Sequence, residues 1–186
     1  LSGTLAYLFN VYNGSKPFSE IVRDARDNGY TEPDPRDDLS GMDVARKLTI
    51  IARELGQSIE IGDFPVESLV PEKLVDSSVE DFLSGLAEYD NEMQARFDDV
   101  QKEGMFLRYI ATLDEDGQAS VGLRKVAADS AFANMQLTDN LLQFQSERYS
   151  QNPLVIQGPG AGPEVTAGGV FGDLLDLASN LGNGAR

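Results

Sequence analysis

Between Gly29 and Lys47 the chain reads Gly-Tyr-Thr-Glu-Pro-Asp-Pro-Arg-Asp-Asp-Leu-Ser-Gly-Met-Asp-Val-Ala-Arg-Lys. Carboxylates and one amine stand here in a proline-stiffened loop and the first turns of a helix. Pro33 and Pro35 fix their own φ and push Glu32 and Asp34 toward extended backbone, so the carboxylate of Glu32 is carried on a rigid strut. Asp43 and Lys47 fall at i and i+4, on one face of a helix expected from about Ser40 to Leu55. A carboxylate beside an ammonium group suits the binding of a polar substrate and the movement of one proton.

Composition narrows the chemistry further. There is no Cys and no His in 186 residues, which excludes disulfides, thiolate nucleophiles, Cys/His zinc sites and His-based triads. Proton chemistry must then use carboxylate, Lys, Tyr or hydroxyl. The formal charge of −16 argues against nucleic acid, which calls for a basic stripe. No apolar run approaches the ~18 residues of a membrane span, and no charged segment followed by an apolar one marks a signal peptide. Cytoplasm is the default. The chain opens on Leu1, already close to the apolar stretch Leu5, Ala6, Leu8, Phe9 and Val11, and reads as an excised fragment.

The elements that must hold these groups alternate in an α+β pattern. Helices are expected over Leu5–Tyr12 and Phe18–Asn28, the second stopped by Gly29. The long helix after the proline loop has Leu48, Ile51, Ala52 and Leu55 at core-facing spacing and stops at Gly56. Short strands are expected at Ser58–Gly62 and Val66–Val70. Ser78-Val79-Glu80-Asp81 is a capping-box start for a helix whose partner runs from about Asp90 to Lys102. Strands at Met105–Leu113 and Gln118–Val126 are joined by Asp114-Glu115-Asp116-Gly117, whose Asp-Gly is a hairpin signal. A further pair spans Asn140–Tyr149 and Leu154–Gln157. The glycine-rich loop Gly158–Gly162 then leads into a helix from about Glu164 to Leu181. The fold expected is α+β, a mainly antiparallel sheet with helices packed on one face.

Residue pattern alone leaves several readings open. Asp43 lies three residues after Ser40 and could be only the carboxylate of a capping box. An i,i+4 Asp/Lys pair is usually a solvated surface pair worth a few tenths of a kcal/mol. A glycine loop between strand and helix can hold an anion on its N–H groups, but such connections are also glycine-rich for steric reasons. Calcium fits poorly. Asp34-Pro35-Arg36-Asp37-Asp38-Leu39 puts Arg at the third ligand position and Leu where the loop needs glycine, and no metal site is expected.

The run Gly29 to Leu48 closely resembles the signature of homoserine dehydrogenases. It is most similar to the dehydrogenase half of bifunctional aspartokinase/homoserine dehydrogenases. Ser2-Gly3-Thr4, Phe64-Pro65-Val66 and the stretch Pro159 to Leu175 agree, so the resemblance covers essentially the whole chain. It implies NADP- or NAD-dependent interconversion of L-aspartate 4-semialdehyde and L-homoserine, on the route to threonine, isoleucine and methionine. Residues 1–157 would be the catalytic and dimerisation domain. Residues 158–186 would be a glycine loop and a helix that returns to a nucleotide-binding Rossmann domain whose N-terminal part is missing. The chain has no strand followed by Gly-x-Gly-x-x-Gly near its start, which agrees. Without that part the isolated fragment is expected to be inactive.

The resemblance also assigns roles. Lys47 matches the catalytic lysine, donor of a proton to the aldehyde oxygen and acceptor of one in the reverse direction. Glu32 and Asp43 match residues that bind homoserine, with Asp38, Tyr30 and Thr4 as further members of the pocket. Gly160, Ala161 and Gly162 would lie against the cofactor. A homodimer is expected through the sheet, since Met105–Val126 and Leu141–Gln145 offer apolar residues on both faces. A fused aspartokinase is expected in the intact chain. Two other readings stand beside this one: a ligand-binding or regulatory module without chemistry, and a related dehydrogenase acting on another substrate.

Overall fold

The Ser2 hydroxyl accepts the Leu5 N–H at 3.2 Å and so starts α1, Gly3–Val11. This serine cap satisfies one of the N–H groups that every helix start leaves over. In the computed structural model, which describes residues 1–183, α2 follows at Phe18–Asp27 and ends at Gly29, whose φ of 74° only glycine adopts at little cost. Leu8 and Phe9 of α1 meet Ile21 and Val22 of α2 in a buried cluster that also takes in Leu39, Val44 and Phe82. Full burial of such side chains contributes about 1.5–3 kcal/mol each.

The helix expected from about Ser40 to Leu55 forms over nearly that range, and a short helix precedes it. Asp34 accepts the Arg36 N–H at 3.0 Å and caps α3, Pro35–Leu39, with Pro35 in its first turn. Then Gly41, at φ 72°, breaks the run, and α4 spans Met42–Glu54. The capping-box reading of Ser40 and Asp43 is corrected here. Gly41 is the N-cap and makes no side-chain cap bond, while Ser40 Oγ accepts the Met42 N–H at 3.3 Å.

Ser58–Gly62 and Val66–Val70 form no strands. The segment is extended chain and turns, touching the sheet at one parallel bridge, Val66 to Val121. Pro65 and Pro71 lack the N–H groups that a ladder would need. Beyond it, α5 covers Val79–Gly85 and α6 Asp90–Lys102. Ser78 starts α5 as expected, accepting the Asp81 N–H at 3.1 Å and donating to its carboxylate at 2.8 Å.

The sheet is also different from expectation. Instead of one sheet there are two antiparallel ribbons, β1 (Phe106–Leu113) with β2 (Ala119–Val126) and β3 (Asp139–Phe144) with β4 (Leu154–Pro159). The first turns at Gly117, φ 78°, and pairs Phe106 with Val126 through to Leu113 with Ala119. It packs on α1, α4 and α6. The second rests on α1 and continues into α7, Pro163–Asn183; the last three residues of the expected 158–186 unit lie outside the described residues. Arg108 of β1 ties the first ribbon to α1 and to the loop that follows β2. It is buried, and its guanidinium donates to the Phe9, Phe132 and Ala133 carbonyls at 2.7, 3.0 and 3.0 Å. Such carbonyl partners keep a buried guanidinium solvated by the chain itself.

Candidate functional site

The start of α1 is where the candidate residues meet. Thr4 is buried, and its hydroxyl lies 2.7 Å from the Tyr30 carbonyl and 2.8 Å from Asp38 Oδ1. The other oxygen of Asp38 accepts the Glu32 N–H at 2.8 Å. One carboxylate on α3 therefore joins α1 to the proline loop at the residue before Pro33. Burial is the main cause that pushes the Asp38 carboxyl above the usual carboxylate range, and the nearby charges of Asp37 and Asp43 push the same way. The two hydrogen bonds it accepts oppose that shift and hold the group as an acceptor.

Tyr30 stacks on Tyr7, with ring centroids 4.3 Å apart and planes 25° apart, so one side of the loop is an aromatic pair. Glu32 itself is exposed, and its carboxylate accepts no hydrogen bond from the described residues. A carboxylate held by its backbone yet left without a partner is available to a cationic ligand.

Lys47 and Asp43 face the same end of α1. Their Nζ and Oδ2 atoms are 2.7 Å apart, and Nζ also donates to the Leu1 carbonyl at 3.0 Å. The Lys47 side chain is 42% exposed and that of Asp43 49%, so both can still meet a ligand from solvent. Arg46 approaches Asp43 only at 4.0 Å. Thr4, Tyr30, Glu32 and Asp38 thus form one hydrogen-bonded set, and Asp43 and Lys47 a second, with the Asp43 charge felt at Asp38.

The glycine loop is not bonded to this set among the described residues. It is connected to α1 through β3 and the residue before it: the Thr138 carbonyl crowds Gly3, where a Cβ would come within 3.3 Å, and the Asn140 side chain fills the space that a Cβ on Gly160 would need. The N–H groups of Ala161 and Gly162 donate to no backbone or side-chain acceptor of the described chain. No hydrogen bond joins the loop to Lys47 or Glu32 among the described residues. Unpartnered N–H groups at the start of α7 fit the polar edge of a bound nucleotide.

Several contributors escape a reading of the sequence. Arg36 grips Asp34 at 2.6 Å and donates to the carbonyls of Leu74, Val75 and Ser77 at 3.2, 2.8 and 2.7 Å, so it clamps the proline loop to the chain before α5. Asn140 is a second case, since its Oδ1 is buried without a partner. The sequence reads Arg36 only as a residue that holds its own loop together, and its bonds to residues 74–77 come from distant chain. No helix of the described residues is long and apolar enough to cross a membrane.

Comparison with known proteins gives a consistent result. A family model described as homoserine dehydrogenase matches residues 1–175. A bifunctional aspartokinase/homoserine dehydrogenase of Zea mays is 49% identical over 183 residues, 97% of this chain and 20% of that protein. A homoserine dehydrogenase of Schizosaccharomyces pombe is 46% identical over 188 residues, covering 97% of this chain and 50% of that protein. Among solved structures, a Candida auris protein described as of unknown function superposes with a TM-score of 0.91 at 46% identity, over 96% of this chain and 52% of that one. A putative homoserine dehydrogenase of Archaeoglobus fulgidus gives 0.72 at 25% identity, over 95% and 48%. The chain therefore spans between a fifth and a half of the length of these relatives.

Proposed function

The chain belongs to the homoserine dehydrogenase family, and we propose that within the whole protein it forms the substrate site for interconversion of L-aspartate 4-semialdehyde and L-homoserine. The observation that carries this is that two sets, Asp43 with Lys47 and Thr4 with Asp38 and the Glu32 backbone, both bond to the chain within residues 1–4. A bound nicotinamide nucleotide, NADP or NAD, would supply or accept the hydride.

The residues of this chain do the rest. The Lys47 ammonium donates a proton to the aldehyde oxygen as its carbon becomes tetrahedral, and the amine so formed accepts the alcohol proton in the reverse direction. While the ammonium is charged it also stabilises negative charge developing on that oxygen. Asp43, 2.7 Å away, orients the ammonium and offers an acceptor to the substrate hydroxyl. Glu32 takes the substrate ammonium, because its carboxylate is exposed and unpartnered. Asp38, Thr4 and Tyr30 hold Glu32 where it can do so. Gly160, Ala161 and Gly162 would meet the nucleotide through their N–H groups, with the greater part of its site on a Rossmann unit outside this chain. Residues 1–157 would then be the catalytic and dimerisation domain and residues 158–186 the return to that unit. A homodimer, a fused aspartokinase and a cytoplasmic location complete the reading; the plant relatives, by contrast, are named chloroplastic.

Two variants of the full-length enzyme test the roles. Lys47→Ala should lower kcat by about 10²–10⁴-fold with little change in KM, since a group acting in the transition state is lost. Glu32→Gln should raise the KM for homoserine more than it lowers kcat. Near-normal kcat in Lys47→Ala would end the assignment. Turnover of other amino alcohols in preference to homoserine would favour a related dehydrogenase instead.

A further inference from the structure

Gly41 separates α3 from α4, and two independent features require glycine there. Its φ of 72° lies in the left-handed region that side chains disfavour. In addition, a Cβ at this position would overlap the Tyr109 hydroxyl oxygen and come within 2.8 Å of Tyr109 Cζ. A tyrosine of β1, 68 positions further along the sequence, therefore sits directly on the residue that sets the direction of α4.

Tyr109 is itself fixed. Its hydroxyl donates to the Glu67 carbonyl at 2.6 Å. Glu67 is in turn held by three bonds: its N–H donates to the Val121 carbonyl at 2.9 Å, Oε2 accepts the Leu123 N–H at 3.0 Å and Oε1 accepts from Arg96 at 2.7 Å. Two residues later the Leu69 N–H donates to the Leu39 carbonyl at 2.9 Å, on the near side of Gly41. The Gly41 carbonyl accepts the Ala45 N–H at 3.0 Å, on the far side. Asp43 lies in that same first turn of α4, and Lys47 one turn beyond.

We infer that Tyr109 is a positioning residue for the dehydrogenase reaction: packed over Gly41 and anchored on Glu67, it fixes the break between α3 and α4 and thereby aims Asp43 and Lys47 at the substrate. This rests on the proton-transfer role proposed for Lys47. A rotation of α4 about Gly41 would move the Lys47 ammonium while leaving Glu32 and Asp38, on the other side of the break, in place. The phenol suits the task over any working pH, because burial and, less strongly, the Glu67 charge push it up to about 12, so it remains the donor.

The test compares Tyr109→Phe, Gly41→Ala and the double variant in the full-length enzyme, with kcat and KM for homoserine and thermal stability measured together. Tyr109→Phe should lower kcat by about 3–30-fold with KM within about twofold, since misplacement of a catalytic group by an ångström or less acts on the transition state. Gly41→Ala should lower kcat further in either background, because the left-handed φ and the close approach to Cζ remain when the oxygen is gone. A kcat for Tyr109→Phe within about twofold of wild type at equal folded fraction would overturn the inference; so would a Gly41→Ala enzyme with wild-type kcat and KM. If Gly41→Ala does not fold, the Tyr109→Phe split between kcat and KM decides alone. Lys47→Ala is assayed alongside. An inactive Lys47→Ala with a fully active Tyr109→Phe refutes only the positioning role, whereas an active Lys47→Ala refutes the proton-transfer reading beneath it.

Discussion

The Thr4 hydroxyl lies 2.8 Å from Asp38 Oδ1, so the first turn of α1 is bonded to the last turn of the short helix that follows the proline loop. The same hydroxyl is 2.7 Å from the Tyr30 carbonyl. One side chain thus controls both ends of the loop that carries Glu32. Thr4→Val keeps the shape and removes the hydroxyl, leaving a half-buried carboxylate oxygen and a carbonyl without it. A stability loss of about 1–3 kcal/mol is expected, together with a higher KM for homoserine in the full-length enzyme. Thr4→Ser should restore both. A Thr4→Val enzyme with unchanged KM would show that the loop does not depend on this bond.

Arg36 gives a pH signature. The Asp34 carboxyl is held below the usual carboxylate range, chiefly by its hydrogen bonds with the Arg36 side chain. A depressed folded value means that the contribution is complete above the unfolded pKa of about 4 and is lost as pH falls through the folded value. Arg36→Gln should therefore destabilise the protein at neutral pH and flatten the stability curve below about pH 4. Denaturant titrations at several acid pH values check this. Parallel curves for the two proteins would mean that the pair adds nothing.

Asp43→Asn separates a structural from a chemical role. Since Gly41 is the N-cap of α4 and Asp43 caps nothing, the change removes only a first-turn charge and an i,i+4 pair. Together these are worth about 1 kcal/mol or less. Activity should fall much further, with kcat reduced and KM raised, because Lys47 loses its partner. A stability loss above about 2 kcal/mol with normal kinetics would return Asp43 to a capping role.

Local signals made much of this fold legible. The caps at Ser78 and Gly29, the Asp-Gly turn before Gly117 and the helical spacing in α2 and α6 each act within a few residues, and a sequence displays them directly. The break at Gly41 was not legible in the same way. Nothing in its neighbours asks for glycine at this position until Tyr109 is seen above it. The segments around Pro65 and Pro71 have strand-like composition, but whether they pair depends on a neighbour with free edge groups, and β2 offers Val66 one bridge. Likewise strand content alone does not tell whether four strands make one sheet or two ribbons, and the Arg108 bonds to the loop between the ribbons span more than 20 residues. In the site, Glu32, Asp43 and Lys47 stood out by type and spacing, whereas Arg36 and Asn140 act through contacts with distant chain.

The second ribbon yields the last prediction. Leu154, Val155 and Ile156 of β4 are 42, 40 and 53% exposed, and successive strand residues point to opposite faces. Both faces of the strand are therefore uncovered in the isolated chain. Three adjacent exposed branched residues are an uncommon way to finish a free surface. A second copy of the enzyme is the occupant expected for one of these faces, since a two-stranded ribbon gains stability from further covering. The full-length protein should sediment as a dimer at micromolar concentration. Placing a charge on one face at a time, Val155→Lys in one variant and Ile156→Lys in another, should dissociate the dimer in the variant whose face is shared and leave the other intact. A monomeric wild type, or a dimer indifferent to both substitutions, would move the subunit interface away from this ribbon.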